Sequence, residues 1–213
     1  MEIVVNDRLI PLSIRPATPA DSSIAVHLIH EAKGRFTDYQ FGYDAKNVLN
    51  QLFIRPQNRL SHQFVDIAEV NGNIAGLLLS YPGRRLNQVN EFMGRQMITI
   101  CGIAGFVRYM RKVWPFIFSS GAEAGADEYF INAVAVLPDF QGKRIGTRLM
   151  RFAEEKARAE GLLKCALTVE IENQRARYLY ERLGFQVVNT VKIKRLERLI
   201  GISGFHRMVK VIE

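Results

Sequence analysis

The sequence predicts a single mixed α/β domain, and three observations carry that prediction. Segments with two-residue alternation interleave with segments of helical spacing. Residues 128–190 run strand, glycine loop, helix, strand, helix, strand. An Asn71-Gly72 dipeptide joins two extended apolar runs, the pattern of a tight hairpin. At 213 residues the chain is long enough for one full core and short for two. The 48% hydrophobic and 23% charged composition is that of a soluble globular protein. No charged leader with an apolar signal region opens it, so a cytoplasmic protein is expected.

In "SIRPATPADSSIAVHLIHEA" a short strand precedes Thr18 as N-cap, Pro19 at the first helical position and Asp21 three residues after the cap, predicting a helix over 19–32. "YDAKNVLNQLFIR" sets Ala45, Val48, Leu49, Leu52 and Phe53 at helical spacing, predicting a helix over 44–54. The hairpin occupies "QFVDIAEVNGNIAGLLLSY". Residues 84–126 contain the apolar "MITICGIAGFV", flanked by Arg95 and Arg108. It is shorter than the roughly 18 to 20 residues of a membrane span, so a core helix, a lid or a substrate wall is expected. An interfacial anchor and a homodimer contact are the other readings. "SSGAEAGAD", 119–127, reads as a loop.

"EYFINAVAV" predicts a strand over 128–136. In "IGTRLMRFAEEKARAEG", Ile145, Leu149, Phe152, Ala153 and Ala157 form one apolar stripe that stops at Gly161. "KCALTVE" is a strand, and Asn173 can cap the helix "QRARYLYERL", which Gly184 ends. "FQVVNTVKI" and "FHRMVKVI" are two final strands.

The net charge of +8 favours a polyanionic partner. No basic block with interleaved aromatics marks a nucleic-acid surface, which leaves a phosphorylated cofactor as the expected anion. Of the basic clusters, only Lys143 to Arg151 adjoins a glycine loop. Cys101 and Cys165 read as reduced, buried thiols, and His27 and His30, one turn apart, have no further ligand cluster, so no metal is expected.

The loop "QGKRIG" raises the chemical question. A strand feeding a glycine loop into a helix aims unpaired N–H groups and the positive end of the helix dipole at one spot, where an anion fits. Neither common nucleotide motif matches: Lys143 follows Gly142 but precedes Arg144, and the two glycines are four apart. The residues alone leave a phosphate cradle and a plain turn both open.

"AVLPDFQGKRIGTRLM" followed by "ENQRARYLYERLGF" resembles the GNAT superfamily of N-acetyltransferases, whose loop reads Q/R-x-x-G-x-G/A and whose later helix reads N-x-x-A-x-x-x-Y-x-x-x-G-F. The first pattern falls on Gln141, Arg144 and Gly146, the second on Asn173, Ala176, Tyr180, Gly184 and Phe185. The resemblance covers about 12–82 and 128–190, leaving 84–126 as an extra helical insertion in one domain spanning 1–213. It departs at Arg144, where the family usually has glycine. It implies a mostly antiparallel central sheet flanked by helices, and acetyl-CoA as cosubstrate. Val134, Ala135 and Val136 would line the pantetheine, with Asn173 a further contact. Gln141, Gly142, Lys143, Arg144, Ile145, Gly146 and Thr147 would surround the pyrophosphate.

The implied reaction is direct attack of a substrate amine on the thioester, with Tyr180 protonating the departing thiolate. As base, Glu128 is the first candidate, placed on the face of Asn132 by strand alternation. Glu170 is the second, since Phe130 stands where some members carry glutamate. The acceptor is an amine of a small molecule, peptide or protein, bounded by the helices at 19–54 and the insertion. A non-catalytic acyl-CoA-binding module is the alternative that Arg144 and the missing glutamate suggest.

Overall fold

A computed structural model describes residues 2–5, 8–119 and 123–212. The predicted loop 119–127 therefore lies partly outside the described residues. The strands are β1 (Glu2–Val5), β2 (Arg8–Pro16), β3 (Val65–Val70), β4 (Asn73–Pro82), β5 (Tyr129–Val136), β6 (Lys164–Glu170), β7 (Gln186–Lys192) and β8 (Gly204–Val211). They form one sheet in the order β1-β2-β3-β4-β5-β6-β8-β7. Only β5 and β6 run parallel; every other neighbouring pair is antiparallel. The helices are α1 (Ser22–Phe41), α2 (Ala45–Ile54), α3 (Leu86–Ser119), α4 (Ile145–Ala159), α5 (Gln174–Arg182) and α6 (Lys194–Ile200). None among the described residues is long and apolar enough to cross a membrane.

Two cores lie on opposite faces of the sheet. Ile67, Leu77, Leu79 and Phe130 pack with α1, α2 and the first half of α3; Leu78, Tyr129, Ile131 and Leu167 pack with the stripe Ile145, Leu149 and Ala153 of α4. Asn71 and Gly72 take φ of 52° and 74°, as the hairpin turn requires of both residues.

The entry to α1 is built by charge. Asp21 accepts from the backbone N–H and hydroxyl of Thr18, at 2.7 and 3.0 Å, and Arg15 grips both its oxygens at 2.9 Å. The Arg15 guanidinium holds the Asp21 carboxyl well below the usual carboxylate range. A carboxyl whose folded pKa lies below its unfolded value of about 3.9 adds stability that is complete above that pH and drains as pH falls further. Asp21→Asn is therefore expected to lower stability at neutral pH and to flatten its loss below about pH 4, read by circular dichroism across an acid titration.

Helix α1 runs to Phe41, nine residues past the predicted end at 32. Beyond Ile29 its inward face carries Lys33, Phe36, Thr37 and Gln40, which line a cavity instead of a solid core, so the apolar stripe fades while the helix continues. The insertion is helical, as expected, but folds at Gly102 (φ 69°, ψ 174°), where the chain leaves helical geometry. The second arm returns alongside the first: Phe106 lies beside Gly94, and the Tyr109 hydroxyl reaches Met93 Sδ at 4.0 Å. Two elements went unpredicted. Strand β1 pairs back on β2, and α6 gathers Ile193, Leu196, Ile202 and Phe205 against Phe36 and Tyr39 of α1. Of the two cysteines, both free thiols, Cys165 is buried but Cys101 is only half-buried.

Candidate active site

The parallel pair β5/β6 opens the site. Their register holds only from Tyr129↔Cys165 to Ile131↔Leu167. Opposite, the pairing of β5 with β4 slips between Ser80↔Ile131 and Leu79↔Ala133, making Asn132 an extra residue in a bulge. The bulge changes the side-chain alternation: Phe130, Asn132 and Ala133 all face α1, while Ile131 and Val134 face α4. Past it β5 and β6 diverge, and the edge of residues 133–136 facing β6 has no strand partner among the described residues.

A cavity of about 450 Å³ fills this divergence. Ala133, Val134, Thr168, Glu170, Asn173 and Tyr180 line it. A second cavity, of about 830 Å³, lies between α1, α2 and the α3 hairpin. Its walls mix Phe41, Phe106 and Tyr109 with Arg59, Asn90 and Glu91. Four residues line both: Lys33, Phe36, Glu123 and Asn132.

Polar contacts order that junction. Asn132 Nδ2 donates to the Tyr81 hydroxyl at 2.9 Å, which leaves its Oδ1 to accept from Lys33 Nζ at 2.5 Å. Glu123 accepts two hydrogen bonds from Arg59, at 2.8 and 3.0 Å. Loss of water around the Lys33 amine, reinforced by the nearby Arg59 charge, pushes its pKa down to about 8 against the pull of Glu123 and Glu170. Burial raises Glu170 and lifts the Tyr180 phenol to about 12.

The sequence-predicted residues divide three ways. Val134, Asn173 and Tyr180 line the smaller cavity, as does Glu170. Asn173 also caps α5, its side chain accepting from the Ala176 N–H at 3.1 Å. The loop Gln141 to Thr147 leads into α4, with Ala135 and Val136 at the end of β5 before it. Ile145 buries its side chain, no side chain caps α4, and the first bond of the helix runs from the Arg148 N–H to the Arg144 carbonyl. The N–H groups of the first turn thus point out beside Lys143 and Arg144, the donor set an oxyanion needs. Gln141 donates to the Val136 carbonyl at 3.2 Å, tying the loop to the strand end.

Glu128, the first candidate base, directly precedes β5. It lines neither cavity, and its carboxylate is occupied by Arg207 and by the Gly125 N–H at 2.6 Å. Alternation from Asn132 sets its face but not its reach: Arg207 of β8 draws its carboxylate away from the junction. Sequence reasoning also missed Lys33, Arg59 and Glu123. Only Lys33 carried a signal, as a cation on the continuation of the buried Ala25–Ile29 face of α1.

Arg144 takes φ 60° and ψ 12°, left-handed geometry that costs a non-glycine residue roughly 1–2 kcal/mol. That explains why glycine suits the position. Arg144→Gly relieves the strain but adds unfolded-state freedom, so a net gain of about 0.5 kcal/mol is expected in thermal melts.

The chain belongs to the acetyltransferase (GNAT) family, whose model matches residues 26–185. An uncharacterized N-acetyltransferase of Methanocaldococcus jannaschii is 39% identical over 82 residues, 38% of this chain and 31% of that protein. The matches span less than half the length of the curated relatives. The crystal structure of an acetyltransferase superposes with a TM-score of 0.69 at 24% identity, covering 94% of this chain and 100% of the other. The PaiA N-acetyltransferase of Thermoplasma acidophilum, solved with coenzyme A, gives 0.53 at 15% identity over 94% and 99%. At these identities the structural likenesses speak for the fold alone.

Proposed function

We propose that the chain is a single-domain, acetyl-CoA-dependent N-acetyltransferase that takes its thioester in the smaller cavity and its amine acceptor in the larger one. The observation that carries this reading is the meeting of the two cavities at Lys33, Phe36, Glu123 and Asn132. A thioester laid along the unpaired edge of β5, with its phosphates on the loop 141–147, would bring its carbonyl toward that junction. The pantetheine amides would find backbone groups of 133–135 that point away from β4, and the Lys143 and Arg144 cations would face the phosphates.

The acceptor arrives as an ammonium and attacks as an amine, so a carboxylate must hold it and take a proton. Glu123 is favoured because it lines both cavities, whereas Glu170 lines only the cofactor side. Tyr180 is the acid for the thiolate. A phenol at about 12 is a poor donor to a thiol of ordinary pKa near 8.5, but desolvation raises thiols as well. The burial that raises the phenol would also raise a CoA thiol held in the same cavity, narrowing the gap between donor and thiolate.

The mixed aromatic and polar walls of the larger cavity suit an acceptor with both an apolar body and a polar end. The test is acetyl-CoA titration by thermal shift, followed by CoA-thiol release over a panel of amines and peptides. A rise in melting temperature with thiol release for an acceptor class is expected; no rise with acetyl-CoA would sink the reading. Glu123→Gln is expected to depress kcat more than Glu170→Gln, and the reverse order would move the base to β6.

A further inference from the structure

A primary amine belonging to the protein itself stands where the acceptor amine has to arrive. We propose that the chain acetylates its own Lys33 when acetyl-CoA is bound and the larger cavity holds no acceptor. This inference rests on the reading of the smaller cavity as the acetyl-CoA site.

Geometry presents the amine. Lys33 projects from α1 to the junction, lines both cavities and forms no ion pair among the described residues. It donates to Asn132 Oδ1, whose orientation the Asn132–Tyr81 bond sets. The charged groups that act on it are Arg59, which Glu123 pairs, and the carboxylates Glu123 and Glu170. With its pKa lowered to about 8, roughly a tenth of the side chains carry a free lone pair at pH 7. A surface lysine near 10.4 carries about a thousandth or less.

The step balances without a further reagent. The Nζ lone pair attacks the thioester carbonyl carbon, the C–S bond breaks, and the thiolate leaves as CoA thiol with the proton that the amine gives up, relayed through Tyr180. The product amide keeps one N–H, enough to preserve the bond to Asn132 Oδ1. It also removes a desolvated positive charge, which favours the acetylated state in this environment. The acetyl group would occupy the junction, so a modified chain is closed to amine acceptors until the group is removed. Acceptor in the larger cavity competes for the same thioester and protects Lys33.

The experiment incubates the intact protein with acetyl-CoA alone, followed by intact mass and peptide mapping. One acetyl group per chain is expected at Lys33, faster as pH rises from 7 to 9, suppressed by an acceptor that supports thiol release, and absent from Lys33→Arg. The urea-unfolded chain serves as the control for uncatalysed acylation and is expected to show no preference for Lys33. Acetyl groups spread evenly over surface lysines, or none on Lys33 in a protein that binds acetyl-CoA and acetylates an acceptor, would overturn this inference alone. Absence of acetyl-CoA binding by thermal shift would overturn the proposed function as well. The mapping of the unmodified sequence keeps the test decisive if Lys33→Arg folds poorly.

Discussion

Tyr180→Phe is expected to lower kcat by about 10²- to 10⁴-fold while leaving acetyl-CoA binding intact, the range associated with losing one general acid. The substitution is structurally mild. The ring of Tyr180 packs 6.1 Å from that of Phe185, centroid to centroid, and phenylalanine keeps that contact. Among the described residues the hydroxyl has no hydrogen-bond partner in the protein, so its removal orphans nothing. A fall in kcat with KM for acetyl-CoA unchanged therefore reports chemistry instead of folding. Because the phenol sits at about 12, the wild-type rate should show no loss from Tyr180 ionisation below about pH 10. Unchanged turnover in Tyr180→Phe would remove the residue from the mechanism.

Arg59→Met is expected to destabilise the protein by about 3 kcal/mol, the lower end for breaking a buried pair, because the two side chains remain 19% and 16% exposed. For a chain of this size that corresponds to a melting temperature lower by roughly 6–12 °C. The loss arises from Glu123, which keeps its charge or takes a proton once both Arg59 hydrogen bonds are gone. Arg59→Met with Glu123→Leu should recover most of the stability, since a packed apolar pair replaces a desolvated ionic one. It should not recover turnover if Glu123 handles the acceptor ammonium. Arg59 also helps to depress Lys33, so the single variant should raise the Lys33 pKa, observable as slower acetylation of Lys33 at pH 7. A double variant no more stable than the single one would mean that the pair is not coupled.

Much of the fold was legible because its signals are local. The α4 stripe, the Asn71-Gly72 turn and the Asn173 cap need only neighbours in the chain, and each forms where the pattern placed it. Residues 194–200 escaped notice because a seven-residue helix rich in charge has too few apolar positions to show a period. It exists because Leu196 meets Phe36 and Tyr39 from a distant part of the chain. The bulge at Asn132 is equally silent: it inserts one residue without any mark in the sequence, so Ala133 shares the face of Asn132.

By itself, then, the sequence determined the order of elements, the helix that begins at the loop 141–147 and the tyrosine that follows it, because these depend on short-range spacing. Only the tertiary structure decided the composition of the junction. Lys33, Glu123 and Asn132 are separated by 90 and 9 positions along the chain, and no periodicity links them. They meet because α1 crosses the bulged strand β5 while Arg59 draws the segment after α3 inward through Glu123. The same convergence takes water from an amine at a point lined by both cavities, an electrostatic property that belongs to the folded arrangement and to no single residue.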